Sequence, residues 1–247
     1  MLQDPPPLEP PPTRGTAGVA LYLTWLLLMG WCAVVELIVS GSPETFRSIE
    51  QAQVFAWPML AALLAAGWIG IWCAGRVGLA AAWQRPESWR RRWLAPIAIG
   101  LLLGVLEMLL DVATGFTARE CADRHIAREN IELPWSLLIY PGGAVIVECF
   151  YRLFPLPLLQ WLIDGVLRRR RASAAVFWSL AVLTSLLEPL SQDLGLWKYG
   201  WFAAVAVFGV DFLLNLAQAA VLRRHGFTAA IALRVAFYAV WHVAYPH

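Results

Sequence analysis

Seven stretches of apolar residues, each near or above twenty residues long, limit what this chain can become. They fall at about 17–40, 53–83, 94–116, 135–163, 173–190, 199–222 and 227–245. A helix rises 1.5 Å per residue, so about 20 residues cross a hydrocarbon core of about 30 Å. Lipid offers no partner to an open backbone, which leaves helices as the way for such stretches to satisfy their own N–H and C=O groups. The expected fold is therefore all-α, a polytopic membrane protein of about seven transmembrane helices. Composition agrees: 60% of the residues are hydrophobic and 15% charged, against about 45–50% and about 25% in soluble domains. Fourteen tryptophans suit a chain that crosses two headgroup boundaries.

Two windows carry signs of a break. The second is long and is expected to turn at Gly75 and Arg76 and finish along the interface as AAAW. The fourth contains PGG at Pro141 to Gly143 and then Pro155 and Pro157, which predicts a kinked or broken helix. Residues 1–16 are rich in proline, without an apolar face, and read as a disordered tail. They lack the basic start and apolar core of a secretory signal. Four cysteines share no CxxC spacing, which argues against a disulfide framework or a zinc knuckle.

Orientation follows from the arginines. If the helices alternate, Arg14, Arg76, Arg85, Arg90 to Arg92, Arg168 to Arg171, Arg223 and Arg224 share one side. Arg47, Arg119, Arg124, Arg128 and Lys198 share the other. Twelve basic residues against five places the N-terminus at the cytoplasmic face. The basic runs are topology signals and anchors, and nucleic acid is not an expected partner. A bacterial inner (plasma) membrane is the expected location.

Removing loops and tails leaves a short polar inventory within the spans: Glu36, Glu107, Asp111, Glu148, Arg152, Glu188, Asp211, Asn215, Arg234 and His242. Each charge costs roughly 2.5–3.5 kcal/mol at the centre of a membrane helix. Such residues turn inward, toward partners or a wet cavity, and several helices contributing to one cavity is the simplest arrangement. Glu148 and Arg152 lie one turn apart on one face. They read either as a pair that neutralises itself or as an arginine orienting a functional carboxylate. Glu107 and Asp111 have the same spacing with like charge, so one would hold a proton unless a cation is near. Glu188 precedes Pro189 at a helix end, and Asp211 and Asn215 share a face. Arg234 and Tyr238 form a stripe on the last helix, with Trp241 and His242 beyond them. Only His242 among the histidines lies in a span, and HExxH is absent, so zinc is not expected. An oxygen-rich cation site from Glu107, Asp111, Glu188 and Asp211 is chemically allowed. No cofactor is implied. The sole lysine, Lys198, is in a loop, which excludes a retinal Schiff base.

The segment VECFYRLFPLPLLQWL resembles the EExxxR helix of the CPBP family, the glutamic intramembrane proteases that include the CAAX prenyl endopeptidases. The resemblance covers about residues 134–247, and a basic loop and a terminal helix entered through RRHGFTAAI follow the family's order. It divides the chain into a 1–16 tail, N-terminal spans over 17–133 and a CPBP-like core over 134–247. Glu148 matches the family's second glutamate and Arg152 its arginine. The first glutamate is replaced by Val147. Glu188, in TSLLE, stands where the second motif has histidine. For the last motif, spacing from Gly226 selects Arg234 and Tyr238, and the pattern alone selects Asp211 and Asn215.

The resemblance implies a membrane-embedded protein or peptide as substrate; with the family's first glutamate and both histidines absent, the substitute set open to hydrolysis is Glu148 or Glu188 as base and Arg234 and Tyr238 as donors to an oxyanion. Three readings stay open: a divergent intramembrane hydrolase, a non-catalytic relative binding a membrane peptide, lipid or partner helix, and a cation or proton transporter.

Overall fold

The structure, a computed structural model, describes residues 14–42, 46, 54–126, 130–166 and 174–245. The first thirteen residues of the proline-rich tail, Arg47, Arg128 and Arg168 to Arg171 lie outside the described residues. Among the described residues, seven helices are long and apolar enough to cross a membrane: Gly18–Gly41, Trp57–Arg76, Arg90–Thr114, Ser136–Gly165, Ala174–Gln192, Trp201–His225 and Phe227–Ala244. No strand occurs among the described residues. This is an integral membrane protein of all-α architecture, as its apolar periods require. The first helix begins at Arg14, so three residues assigned to the tail are helical.

Polarity is distributed inside out. Leu27, Leu102, Val112 and Trp201 are exposed, while Glu107, Glu148, Arg152, Glu188 and Arg234 are buried. A soluble domain would pay heavily for both halves of that arrangement, whereas lipid rewards the first and helix packing tolerates the second once charges are matched.

The expected breaks are present and their chemistry is local. The second span ends at Arg76, and the chain turns at Val77 and Gly78, the latter with φ of 82°, into the short helix Leu79–Trp83. The turn therefore falls two residues beyond Gly75 and Arg76, at the first glycine that takes a positive φ. The fourth span runs through Pro141 as Ser136–Glu148, widens into a π turn at Cys149–Leu153, and resumes as Pro155–Val166. Pro155 has no N–H to donate, and widening is one way to spare the carbonyl that its ring would displace. In the fifth span, helix Ala174–Ser185 is interrupted at Leu186 and restarts as Leu187–Gln192, with Pro189 in its first turn.

The third and seventh spans cross closely. Gly100 and Gly104 lie one turn apart, and a Cβ on either would run into the backbone of Leu233 or Phe237. That small-xxx-small stripe continues along the same face to Glu107 and Asp111, both buried. Close packing by glycine thus carries two carboxylates into the protein interior.

At the end opposite the N-terminus, helix Phe116–Arg124 meets the 3₁₀ segment Asp193–Tyr199. Arg119 donates to the Tyr199 carbonyl at 2.7 Å, and Asp123 accepts from the Tyr199 hydroxyl and from Lys198, each at 3.0 Å. At the N-terminal end, His225 and Glu87 pair at 2.6 Å and Arg92 holds the carbonyls of Trp83 and Arg85.

Candidate functional site: a buried charge lattice beside a polar cavity

Four spans deliver polar side chains to one centre. The fourth contributes Glu148 and Arg152, the fifth Glu188, the sixth Asn215 and Gln218, and the seventh Arg234 and Tyr238. Glu148 and Arg152 flank the start of the π turn, so the widened backbone sits within the centre. Asn215 and Gln218 share an inward face of an apolar helix, one turn apart.

The contacts form a continuous lattice. Arg152 Nε donates to Glu148 Oε2 at 2.8 Å, and its Nη1 donates to Asn215 Oδ1. Arg234 reaches Glu188 with two nitrogens, Nη1 to Oε1 at 2.7 Å and Nη2 to Oε2 at 2.6 Å. Two amides join the pairs. Gln218 donates to Glu148 Oε2 at 3.1 Å and to the Ala230 carbonyl at 3.3 Å, while accepting from Arg234 Nε at 3.0 Å. Asn215 Oδ1 also accepts from Arg234 Nη2 at 3.4 Å, so one oxygen sits between both guanidiniums. Its amide nitrogen is anchored on the Asp211 carbonyl at 2.7 Å. Two carboxylates face two guanidiniums and the formal charges cancel, which lets all four be almost wholly buried.

The lattice is incomplete at one end. Glu148 Oε1 and Arg152 Nη2 are buried with no hydrogen-bond partner in the protein. A buried group left in that state costs about 1–3 kcal/mol.

A cavity of about 440 Å³ lies against the other end of the lattice and faces the side opposite the N-terminus. Glu188, Arg234, Tyr238 and Asp211 line it, together with Glu107 from the third span, Thr117 and Glu120 from the adjoining helix, and His242 from the last. Glu148 and Arg152 do not line it. The sequence reading that gathers acids and arginines from separate spans into one cavity therefore holds for Glu188, Arg234 and Tyr238. Glu148 and Arg152 instead belong to the lattice behind the wall. Both candidate pairs for the last family motif, Arg234 with Tyr238 and Asp211 with Asn215, enter this one region.

No protein-family model, curated protein or solved structure matches the chain. The chemistry of the site is accordingly read from its own geometry.

Glu188 has both oxygens engaged by one guanidinium, a bidentate geometry that fixes the orientation of the carboxylate. Asp111, expected beside Glu107, turns to the helix end: its carboxylate accepts from the Thr117 N–H at 2.9 Å and from the Tyr245 hydroxyl at 3.1 Å. Among the described residues, no three His, Cys, Asp or Glu side chains stand close enough to hold a metal ion. The oxygen-rich set of Glu107, Asp111, Glu188 and Asp211 does not form such a group.

Two features escape sequence reasoning. Gln218 is the central bridge, and its signal was its place three residues after Asn215 on an otherwise apolar helix. The second feature surrounds His242. Asn130 donates its amide nitrogen toward the carbonyls of Trp241 and Tyr245, at 3.2 and 3.5 Å, which assigns its oxygen as the acceptor end. That oxygen meets the Tyr140 hydroxyl at 3.1 Å and His242 Nδ1 at 2.5 Å. The network thus makes His242 Nδ1 the donor to that oxygen. Tyr140 stacks on the imidazole with ring centres 4.3 Å apart and fixes its plane.

Proposed function

We propose that this chain is a divergent, non-catalytic relative of the CPBP membrane proteins, in which the polar centre braces a cavity that binds the polar part of a membrane-embedded ligand. The observation that carries this reading is the occupancy of the two glutamates. Both oxygens of Glu188 are engaged by Arg234, and Glu148 sits behind the cavity wall, paired with Arg152 and Gln218. Hydrolysis needs a base within reach of a water beside the substrate; Glu188 lines the cavity with both oxygens held by Arg234, and Glu148 does not line it. The cavity has a volume in the range of small-ligand sites, about 300–1,000 Å³. The ligand is a membrane peptide or lipid, and the surrounding bilayer is a bacterial inner membrane with the N-terminus cytoplasmic. Twelve basic residues against five support that orientation.

The test is a cleavage assay in nanodiscs with a prenylated CAAX peptide and an unprenylated transmembrane peptide. Wild-type protein is expected to release no more product than Glu148→Gln or Glu188→Gln. Product that disappears in Glu188→Gln, with the fold intact, overturns the reading.

A second reading, a divergent hydrolase, is favoured by one observation. Glu188, Arg234 and Tyr238 share the cavity wall, so a carboxylate and two donors face one space. In that case Arg234 must release one Glu188 oxygen before water is activated, and the same assay decides.

A further inference from the structure

A second opening lies on the outside of the bundle, away from the polar cavity. A groove of about 470 Å³ runs between the first and second spans and is lined by Tyr22, Trp68, Ile69 and Trp72. Trp68, Ile69 and Trp72 are exposed, and Tyr22 is half-buried. On a chain that crosses a bilayer, an apolar surface of this kind faces hydrocarbon. The groove belongs to the N-terminal end of the bundle. Tyr22 is four residues into the first span, and Trp72 is four residues from the end of the second.

One edge of the groove leads to a charge. Trp68, Trp72 and Arg76 recur at every fourth residue and make one stripe along the second span. At 1.5 Å of rise per residue the stripe is about 12 Å long. Arg76 ends the span and is exposed, with its guanidinium 4.8 Å from the centre of the Trp72 ring. Trp161 of the fourth span meets the same indole in a T-shaped pair, with ring centres 5.2 Å apart, and so steadies it. Among the described residues no carboxylate or carbonyl takes the Arg76 N–H groups. Arg92, at the same end, gives its own to the carbonyls of Trp83 and Arg85. The Tyr22 hydroxyl, on the groove wall, also has no hydrogen-bond partner among the described residues. Donors at the headgroup end and an apolar trough below them are the pattern of a phospholipid.

We propose that this groove seats an anionic phospholipid from the leaflet on the N-terminal side, with its phosphate on Arg76 and one acyl chain along Trp72, Ile69 and Trp68. A planar guanidinium meets two phosphate oxygens with parallel N–H bonds. Charge complementarity selects the headgroup. Arg90, Arg91 and Arg224 are also exposed at this end, so a net negative headgroup is drawn in more strongly than a zwitterionic one. The site shares no residue with the polar cavity, and it stands whether or not that cavity is catalytic.

The experiment is native mass spectrometry of the full chain released from detergent micelles. Phosphatidylglycerol and phosphatidylcholine with the same acyl chains are titrated separately. Phosphatidylglycerol is expected to give one retained lipid per chain at concentrations where phosphatidylcholine gives none. Arg76→Gln is expected to weaken that retention about tenfold, the scale of one lost charge-assisted contact. Arg224→Gln removes the same charge at the same end without touching the groove, and should leave retention unchanged. Ile69→Trp fills the apolar part and should abolish retention of the first lipid. Arg76 and Ile69 are both exposed, and an unchanged thermal midpoint shows that each variant folds. Equal retention of the two lipids, equal losses in Arg76→Gln and Arg224→Gln, or full retention in Ile69→Trp overturns the proposal. A dimer that Ile69→Trp dissociates, with no lipid retained by the wild type, would give the groove to a second copy of the chain and overturn it too.

Discussion

Arg234 is where the energetics concentrate. Its guanidinium serves Glu188, Gln218 and Asn215, and it is 2% exposed. Removing one partner of such a pair leaves a buried charge without compensation, at about 3–5 kcal/mol. Arg234→Met is therefore expected to lower the thermal midpoint sharply in detergent or nanodiscs. Arg234→Met with Glu188→Leu should recover part of the loss, because the orphaned carboxylate goes too. A double variant no more stable than Arg234→Met would show that the pair is not acting as a unit. Gln218→Met deletes three contacts in one step, those with Glu148, Ala230 and Arg234. Each group left unsatisfied costs about 1–3 kcal/mol, so this single amide exchange should rank with the loss of an arginine. The same unfolding measurement checks that ranking.

At the scale of elements, the approach of the third and seventh spans holds Glu107 and Arg234 on a shared cavity. Gly100→Val puts side-chain carbon where the Leu233 carbonyl already lies. Overpacking of this kind costs about 1–3 kcal/mol and moves helices rather than single atoms. The expected outcome is a destabilised protein with altered maleimide accessibility at Glu120→Cys, while Gly18→Val, with nothing within 4 Å of its added Cβ, stays close to wild type. The contact of Phe116–Arg124 with the 3₁₀ segment responds to acid. The hydrogen bonds from Lys198 and then Tyr199 hold the Asp123 carboxyl below its ordinary value. Stability from this contact is present above the unfolded carboxyl value, about pH 4, and is lost as pH falls through the lower folded value. Both partners are exposed, so the change is local. Amide exchange over 116–124 should quicken below about pH 4 and do so less in Asp123→Asn, which has already lost the ion pair. Equal acid sensitivity in that variant would remove Asp123 as the cause.

For the whole molecule, seven spans put the two ends of the bundle on opposite sides of a bilayer. The four native cysteines are buried, so a membrane-impermeant maleimide has a low background. Glu87→Cys and Glu120→Cys are expected to label from opposite sides of sealed vesicles, and labelling of both from one side would break the alternating order.

Much of this architecture was legible before any coordinates. Apolar run length alone decided seven helices in one layer of lipid, because backbone hydrogen bonding in hydrocarbon leaves so few choices. Pro155 announced the break in the fourth span, found as a π turn at Cys149–Leu153, and i, i+4 spacing announced Glu148 with Arg152. What spacing along one helix does not encode is which neighbour its polar stripe will meet. Glu188 looked like a helix-end residue until the restart at Leu187 turned it inward to Arg234, and Gln218 carried no charge to draw the eye. Sequence by itself determined a membrane bundle with costly charges that must find partners. Only tertiary packing decided that those partners sit on four different helices, that the resulting lattice is neutral, and that Glu188 rather than Glu148 reaches the cavity. The reason is geometric, since matching charge across spans depends on helix rotation and on the close crossing that Gly100 and Gly104 permit.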